Sequence, residues 1–238
     1  MRLVPTLAEL LARRVRTDGA SPLLTYYDLA SGERTELSGV TFANWVAKTA
    51  NLVADELLLS PGDVVGLALA RSHPGHWVTL VWELACWQTG TVVSLDGSGG
   101  EPRVVVCGPE WSEVDPAGAD LVACALHPWG LGFVTPLPPG VLDYALEVRG
   151  QPDAYPVAPL PGTAPAWVDG ERRLSQADLV GPGPQPAQRR LVRPGEPWAT
   201  ASAALVRPLR DGGSTVLVAG EADPDRLDRI RADEQVDG

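Results

Sequence analysis

"V-V-G-L-A-L-A-R-S-H-P-G-H-W-V-T-L-V-W-E-L-A-C-W-Q-T-G-T-V-V-S-L" occupies residues 64–95, and its reading decides the fold. Val64–Leu69 is a continuous apolar run, the pattern of a parallel strand buried on both faces. Ser72 and Pro74 open a helix that carries Trp77, Leu80, Val81, Leu84 and Trp87 as far as Gln88. Gly90 ends that helix, and Thr91–Leu95 returns as a strand. Strand, helix and strand in succession form the crossover unit of a parallel sheet.

Toward the N-terminus, Thr6 caps a helix with Leu7, Leu10, Leu11 and Val15 on one face and Gly19 beyond its end. Leu23–Tyr27 and Arg34–Leu37 read as strands joined through Ser31-Gly32. Thr41 caps a helix whose inner face holds Trp45, Thr49, Leu52, Val53 and Leu57, and S-P-G-D at residues 60–63 turns the chain into the central strand. Toward the C-terminus, D-G-S-G-G-E-P at residues 96–102 is a loop, Val104–Cys107 and Leu121–Leu126 are strands, and Val141–Val148 is a helix. Proline- and glycine-rich stretches at residues 150–163 and 181–186 read as extended connectors. Trp198–Leu209 is a helix, Thr215–Val218 a strand, and Asp223 caps a last helix bearing Leu227 and Ile230. The expectation is one α/β domain over residues 1–238, with a largely parallel sheet and flanking helices.

Composition narrows the function classes. A net charge of −11 opposes binding to a nucleic-acid backbone. Arg13, Arg14 and Arg16, and later Arg189, Arg190 and Arg193, read as helix-end and linker charges. Lys48 is the only lysine, which excludes mechanisms that need one elsewhere. Eight tryptophans carry indole N–H groups that want partners, placing several at the edge of the core. Cys86, Cys107 and Cys124 lie apart in apolar runs, as buried reduced thiols of a cytoplasmic protein do. Residues 1–20 hold no signal-peptide core, and no stretch is long and apolar enough for a membrane span.

No catalytic or metal-binding set emerges. His73 and His76 in H-P-G-H lie three apart and read as an exposed pair at a helix entry, without a third metal ligand. G-x-S-x-G is absent, and no cysteine has a cationic or helix-start setting. D-G-S-G-G lacks G-K-[ST], and G-L-G-F at residues 130–133 is too short for a dinucleotide fingerprint.

One crossing has the form of a phosphate cradle: A-P-A-W-V-D-G-E-R-R-L-S-Q-A-D-L-V at residues 164–180. Ala166–Val168 reads as a strand, Asp169-Gly170 as a turn, Glu171, Arg172 and Arg173 as a charged bridge, and Ser175 as a helix cap.

The order of these pieces resembles the adenylate-forming superfamily of acyl-CoA synthetases and peptide-synthetase adenylation domains. The resemblance rests on V-T-F-A-N-W-V-A-K-T-A-N-L-V-A-D-E-L (residues 40–57), S-P-G-D-V-V-G-L-A-L (60–69) and W-V-T-L-V-W-E-L-A-C-W-Q-T-G-T-V-V-S-L-D (77–96). Thr41, Pro61, Gly62, Asp63, Val65, Gly90 and Asp96 match that pattern, while Thr89 replaces its usual alanine. L-V-R-P-L-R-D-G-G-S-T-V-L-V (205–218) and D-P-D-R-L-D-R-I-R-A-D-E-Q-V (223–236) resemble a later piece of the same large domain.

The resemblance implies an ATP-phosphate loop, rich in Ser, Thr and Gly and ending in P-K-G, at the 164–180 crossing. Only Asp169, Gly170, Glu171, Arg172 and Arg173 stand there before L-S-Q-A-D-L-V (174–180), so these five residues and the helix cap Ser175 mark a vestigial cofactor-binding position. The adenine and acyl pockets, the magnesium glutamate, the ribose aspartate and the C-terminal lysine domain of the superfamily have no counterpart in this sequence. The expectation is therefore a truncated, non-catalytic homologue with no cofactor and no metal, acting as a binding or interaction module. It would have a protein partner or form a homo-oligomer, and would bind neither nucleic acid nor membrane. Two alternatives stay open. One is a half-enzyme completed in trans across apolar surface at Leu205, Leu209 and Val216–Val218; the other is a binding protein for a small acyl or nucleotide ligand.

Overall fold

Val64–Leu67 sits at the centre of the larger of two sheets in the computed structural model, which describes residues 5–237. Residues 1–4, the start of the stretch read for a signal peptide, lie outside the described residues. In chain order the elements begin with α1 (Leu7–Asp18), β1 (Pro22–Asp28), β2 (Glu33–Ser38) and α2 (Gly39–Asn51). The crossover unit follows as β3 (Val64–Leu67), α3 (Ala68–Ser72), α4 (Trp77–Thr89) and β4 (Val92–Ser94). Next come β5 (Val104–Cys107), β6 (Asp120–Ala123), β7 (Val141–Asp143) and α5 (Tyr144–Arg149). The last part holds β8 (Pro165–Asp169), β9 (Arg172–Ser175), α6 (Gln176–Val180), β10 (Arg189–Val192), α7 (Pro197–Ala201), α8 (Arg207–Asp211), β11 (Ser214–Ala219) and α9 (Pro224–Asp233).

The seven-stranded sheet runs β7-β6-β5-β3-β4-β8-β9 and is parallel except for the β8–β9 pair. A four-stranded sheet runs β10-β11-β1-β2, with only β1–β2 antiparallel. α2 packs on α4 and α1 on both; α2 also covers β1 and β2, while α4 lies against β4. This helical layer joins the two sheets in one buried apolar cluster. The fold is thus α/β, with a largely parallel sheet and flanking helices.

Several local readings are corrected. The apolar run from Val64 changes from strand to helix after Leu67, so α4 starts at Trp77 rather than at Ser72. His76 caps α4, its Nδ1 accepting from the Val78 N–H at 3.1 Å, and it is buried beside the Tyr26 ring rather than exposed. Gly75 is fixed by the same junction, because a Cβ there would collide with Pro194 and Leu217 of the other sheet's side. Ser38, not Thr41, caps α2. Val141 begins a strand before it reaches a helix, and Arg189 and Arg190 lie in β10 rather than in a linker. The helix expected from Trp198 is interrupted by a π-helical stretch, Ser202–Val206, two residues after which Pro208 lacks an N–H to donate.

The tryptophans go deeper than expected. Every residue of α4 is buried, and the indole N–H groups of Trp77, Trp82, Trp87 and Trp167 have no hydrogen-bond partner. Burying about 200 Å² of ring at ~25 cal/mol/Å² gains about 5 kcal/mol, more than the ~1–3 kcal/mol that an unpaired N–H costs. Packing therefore decides these positions. Arg14 is likewise buried, donating to the carbonyls of Gly212, Gly213 and Pro22. Cys86, Cys107 and Cys124 are free and buried.

Candidate functional site

β3 has β4 on one side and β5 on the other, so successive connections leave it in opposite directions. Ligands of open α/β sheets bind outside the carboxyl ends of strands at such a switch point. The loops at that end here follow β3, β4, β5 and β8, and the last of them is the stretch singled out by sequence.

That stretch folds as a tight hairpin. Asp169 pairs with Arg172, Val168 with Arg173 and Trp167 with Leu174, leaving Gly170 and Glu171 as the two turn residues. Gly170 has φ +57°, a left-handed value that favours glycine. Its N–H donates to Asp96 Oδ2 at 2.8 Å, while Asp96 Oδ1 accepts from the Ser98 N–H at 3.0 Å and from its hydroxyl at 2.5 Å. The Ser98 hydroxyl and N–H, with the Gly170 N–H, hold the Asp96 carboxyl below the usual carboxylate range. The chain's own carboxylate thus occupies the Gly170 N–H of this turn.

The arginines are engaged as well. Arg172 Nη1 lies 2.5 Å from Glu196 Oε1 and 3.6 Å from Asp169 Oδ2. Glu196 also accepts from the N–H groups of Trp198 and Ala199, so one carboxylate caps α7 and ties the hairpin to it. Arg173 donates to the Ser98 carbonyl at 3.0 Å. Glu171 is exposed. Ser175 begins α6 in a reciprocal capping box with Asp178. The structure therefore gathers Asp169, Gly170, Arg172 and Arg173 around the β4 loop and α7, and sets Ser175 at the far end of β9. Sequence reasoning missed Asp96 and Glu196 as partners. D-G-S-G-G did flag Asp96, as part of a loop, but nothing local to Glu196 signalled its approach.

Elsewhere at this end of the sheet, Ser72 Oγ lies 2.9 Å from His73 Nδ1. A Cβ on Gly108 would meet both the His73 ring and the Glu110 carboxylate, so these side chains lie together beyond β5. His73 and His76 do not act as a pair, since His76 turns into the core. Among the described residues, no three His, Cys, Asp or Glu side chains are placed to hold a metal ion. A separate open depression of about 520 Å³ borders the smaller sheet and is lined by Arg14, Glu36, Arg189, Glu234 and neighbours. Glu234 there accepts from Tyr27, Arg34 and Arg189, which balances its charge internally.

The apolar surface expected at Leu205, Leu209 and Val216–Val218 is not surface. All five residues are buried, because β11 lies between β10 and β1 and is covered by the 202–206 stretch and α8. Lys48 is also committed: its Nζ donates to the Gln151 carbonyl at 2.6 Å and pairs with Asp153 at 3.1 Å, strapping the 150–163 connector to α2. Among the described residues, no helix is long and apolar enough to cross a membrane.

No protein-family model matches the chain. Its fold is similar to a Brucella canis acyl-CoA synthetase (TM-score 0.75, 18% identity, 98% of this chain and 46% of that one). It is also similar to the acetoacetyl-CoA synthetase of Streptomyces lividans (TM-score 0.71, 20% identity, 95% and 40%). The anthranilate CoA ligase AuaEII, solved with anthranoyl-AMP, superposes with a TM-score of 0.69 at 15% identity, over 93% of this chain and 46% of that one. The chain thus spans less than half the length of each of these solved enzymes. In sequence it is 35% identical over 236 residues to the TIGR03089 family protein of Mycobacterium tuberculosis, covering 93% of this chain and 92% of that protein. With that identity over nearly all of both chains, the chain belongs to the TIGR03089 family.

Proposed function

We propose that this chain is a non-catalytic homologue of the acyl-CoA synthetase-like enzymes, a single α/β domain that works in the cytoplasm as a binding or interaction module. The observation that carries the reading is the β8–β9 hairpin, which stands where the resemblance calls for an ATP-phosphate loop. Its one left-handed glycine gives its N–H to Asp96, and its two arginines are spent on Glu196, Asp169 and the Ser98 carbonyl. A triphosphate approaching this turn would meet Asp96, Asp169, Glu171 and Glu196. These like charges oppose a phosphate chain, by an amount that solvent and salt reduce at so exposed a turn. The lone lysine cannot offset this, since Lys48 is tied to the connector on α2. Completion by a partner chain across Leu205, Leu209 and Val216–Val218 is not favoured, those residues being buried.

ATP–pyrophosphate exchange with pooled carboxylic acids tests the proposal. The purified protein should show none above the no-enzyme background, and robust exchange would refute the reading.

A further inference from the structure

Residues 121–142 (L-V-A-C-A-L-H-P-W-G-L-G-F-V-T-P-L-P-P-G-V-L) contain no Asp, Glu, Lys or Arg, in a chain of which 21% is charged. Much of this run is surface. Trp129 is 82% exposed, Val134 102% and Leu131 40%.

The loop is nonetheless firmly built. Leu126 and Gly130 take left-handed φ values of 54° and 62°. The Gly130 carbonyl accepts from Arg149 Nη2 at 2.9 Å, and the Phe133 N–H donates to Asp143 Oδ2 at 2.8 Å. Asp143 and Arg149 stand at the two ends of α5, so residues 130–133 run antiparallel along that helix. Asp143, Leu146 and Arg149 are spaced three apart and form one row on it. Leu146, the middle of the row, is 61% exposed. Side chains at Gly130 and Gly132 would collide with the Trp45 ring and the Asp143 carboxylate. Polar groups behind the loop fix its path; Leu126, Phe133 and Leu137 pack inward, while Trp129, Leu131 and Val134 are left outward.

We propose that this face, centred on Trp129, Leu131, Val134 and Leu146, is a self-association surface that pairs with the same face of a second copy of the chain. Charge selects this face for contact between copies. Two chains of net charge −11 repel over most of their surfaces, and an uncharged stretch is where they can meet. An acidic lipid surface would be repelled by the same net charge. Area agrees: Trp129 contributes about 200 Å², and the four side chains of two copies would bury on the order of 1,000 Å² together, the lower bound of a specific interface. The dimer is accordingly reversible and concentration-dependent. It goes beyond the non-catalytic reading and does not depend on it.

Sedimentation velocity of the full chain across concentration and ionic strength tests the proposal. A reversible dimer is expected, tightening as salt screens the like net charges. Trp129→Glu and Val134→Glu should each raise its dissociation constant at least about tenfold. If Trp129→Glu fails to melt like the wild type, Val134→Glu decides, its side chain touching nothing that folding needs. A chain that stays monomeric up to about 1 mM would overturn the proposal. So would a dimer indifferent to both variants, or flotation of the monomer with neutral phosphatidylcholine vesicles that Trp129→Glu abolishes.

Discussion

Glu83 is a costly residue to bury in the core. It lies on α4 with no exposure, and neither carboxylate oxygen has a hydrogen-bond partner. Burial pushes its pKa well above the ordinary carboxylate range, so the folded chain carries it protonated. The unfolded chain ionises the same group above about pH 4.3, so this residue costs stability increasingly as pH rises past that value. His76 acts on the other side of the profile. Burial, and secondarily the charge of His73, lower its pKa to about 3. Its contribution is complete above about pH 6.5 and is lost as pH falls from there toward the folded value. Glu83→Gln should therefore stabilise the chain at pH 7 by about 1–3 kcal/mol, with the gain vanishing below about pH 4. Urea denaturation across pH reads this directly. An equal gain at pH 4 and pH 7 would show that the effect is packing and not ionisation.

The β8–β9 hairpin is held by its turn. A Cβ at Gly170, φ +57°, would make only ordinary contact with Asp96 Oδ2 at 3.9 Å, so a substitution there meets backbone strain rather than a clash. Gly170→Val should cost about 1–2 kcal/mol in chemical denaturation, whereas Glu171→Ala in the same turn should change little. Equal effects at the two positions would contradict the left-handed turn. Legibility divides along the same physical line. The caps at Thr6, Ser175 and Asp223 and the βαβ unit are readable because local hydrogen bonding and periodicity set them, whereas the turn expected at Asp169-Gly170 falls one residue later, at Gly170-Glu171. The arginines of β9 (R-R-L-S) read as a charged bridge and those of β10 (R-R-L-V) as helix-end and linker charges, because their strand character comes from the neighbours they pair with. Asp96 and Glu196 were missed as site partners for the same reason: each reaches the hairpin across the fold, from 74 residues away in one case and 24 in the other.

At the scale of the whole molecule, two sheets share one apolar cluster through α1, α2 and α4. α9 is fastened across the smaller sheet by Glu234, whose carboxylate pairs with Arg34 of β2 at 2.8 Å and Arg189 of β10 at 2.5 Å. The fold is similar to less than half of each acyl-CoA synthetase or ligase it superposes on, and a shared fold does not by itself carry chemistry. The proposed reading rests on an internal, local feature: a two-residue turn whose Gly170 N–H and two flanking arginines have acidic or carbonyl partners. Titration calorimetry with magnesium–ATP puts the central claim to its most direct test. The account predicts no saturable binding up to about 1 mM, the weakest affinity such a titration resolves. Saturable ATP binding that weakens on Arg173→Ala would contradict it.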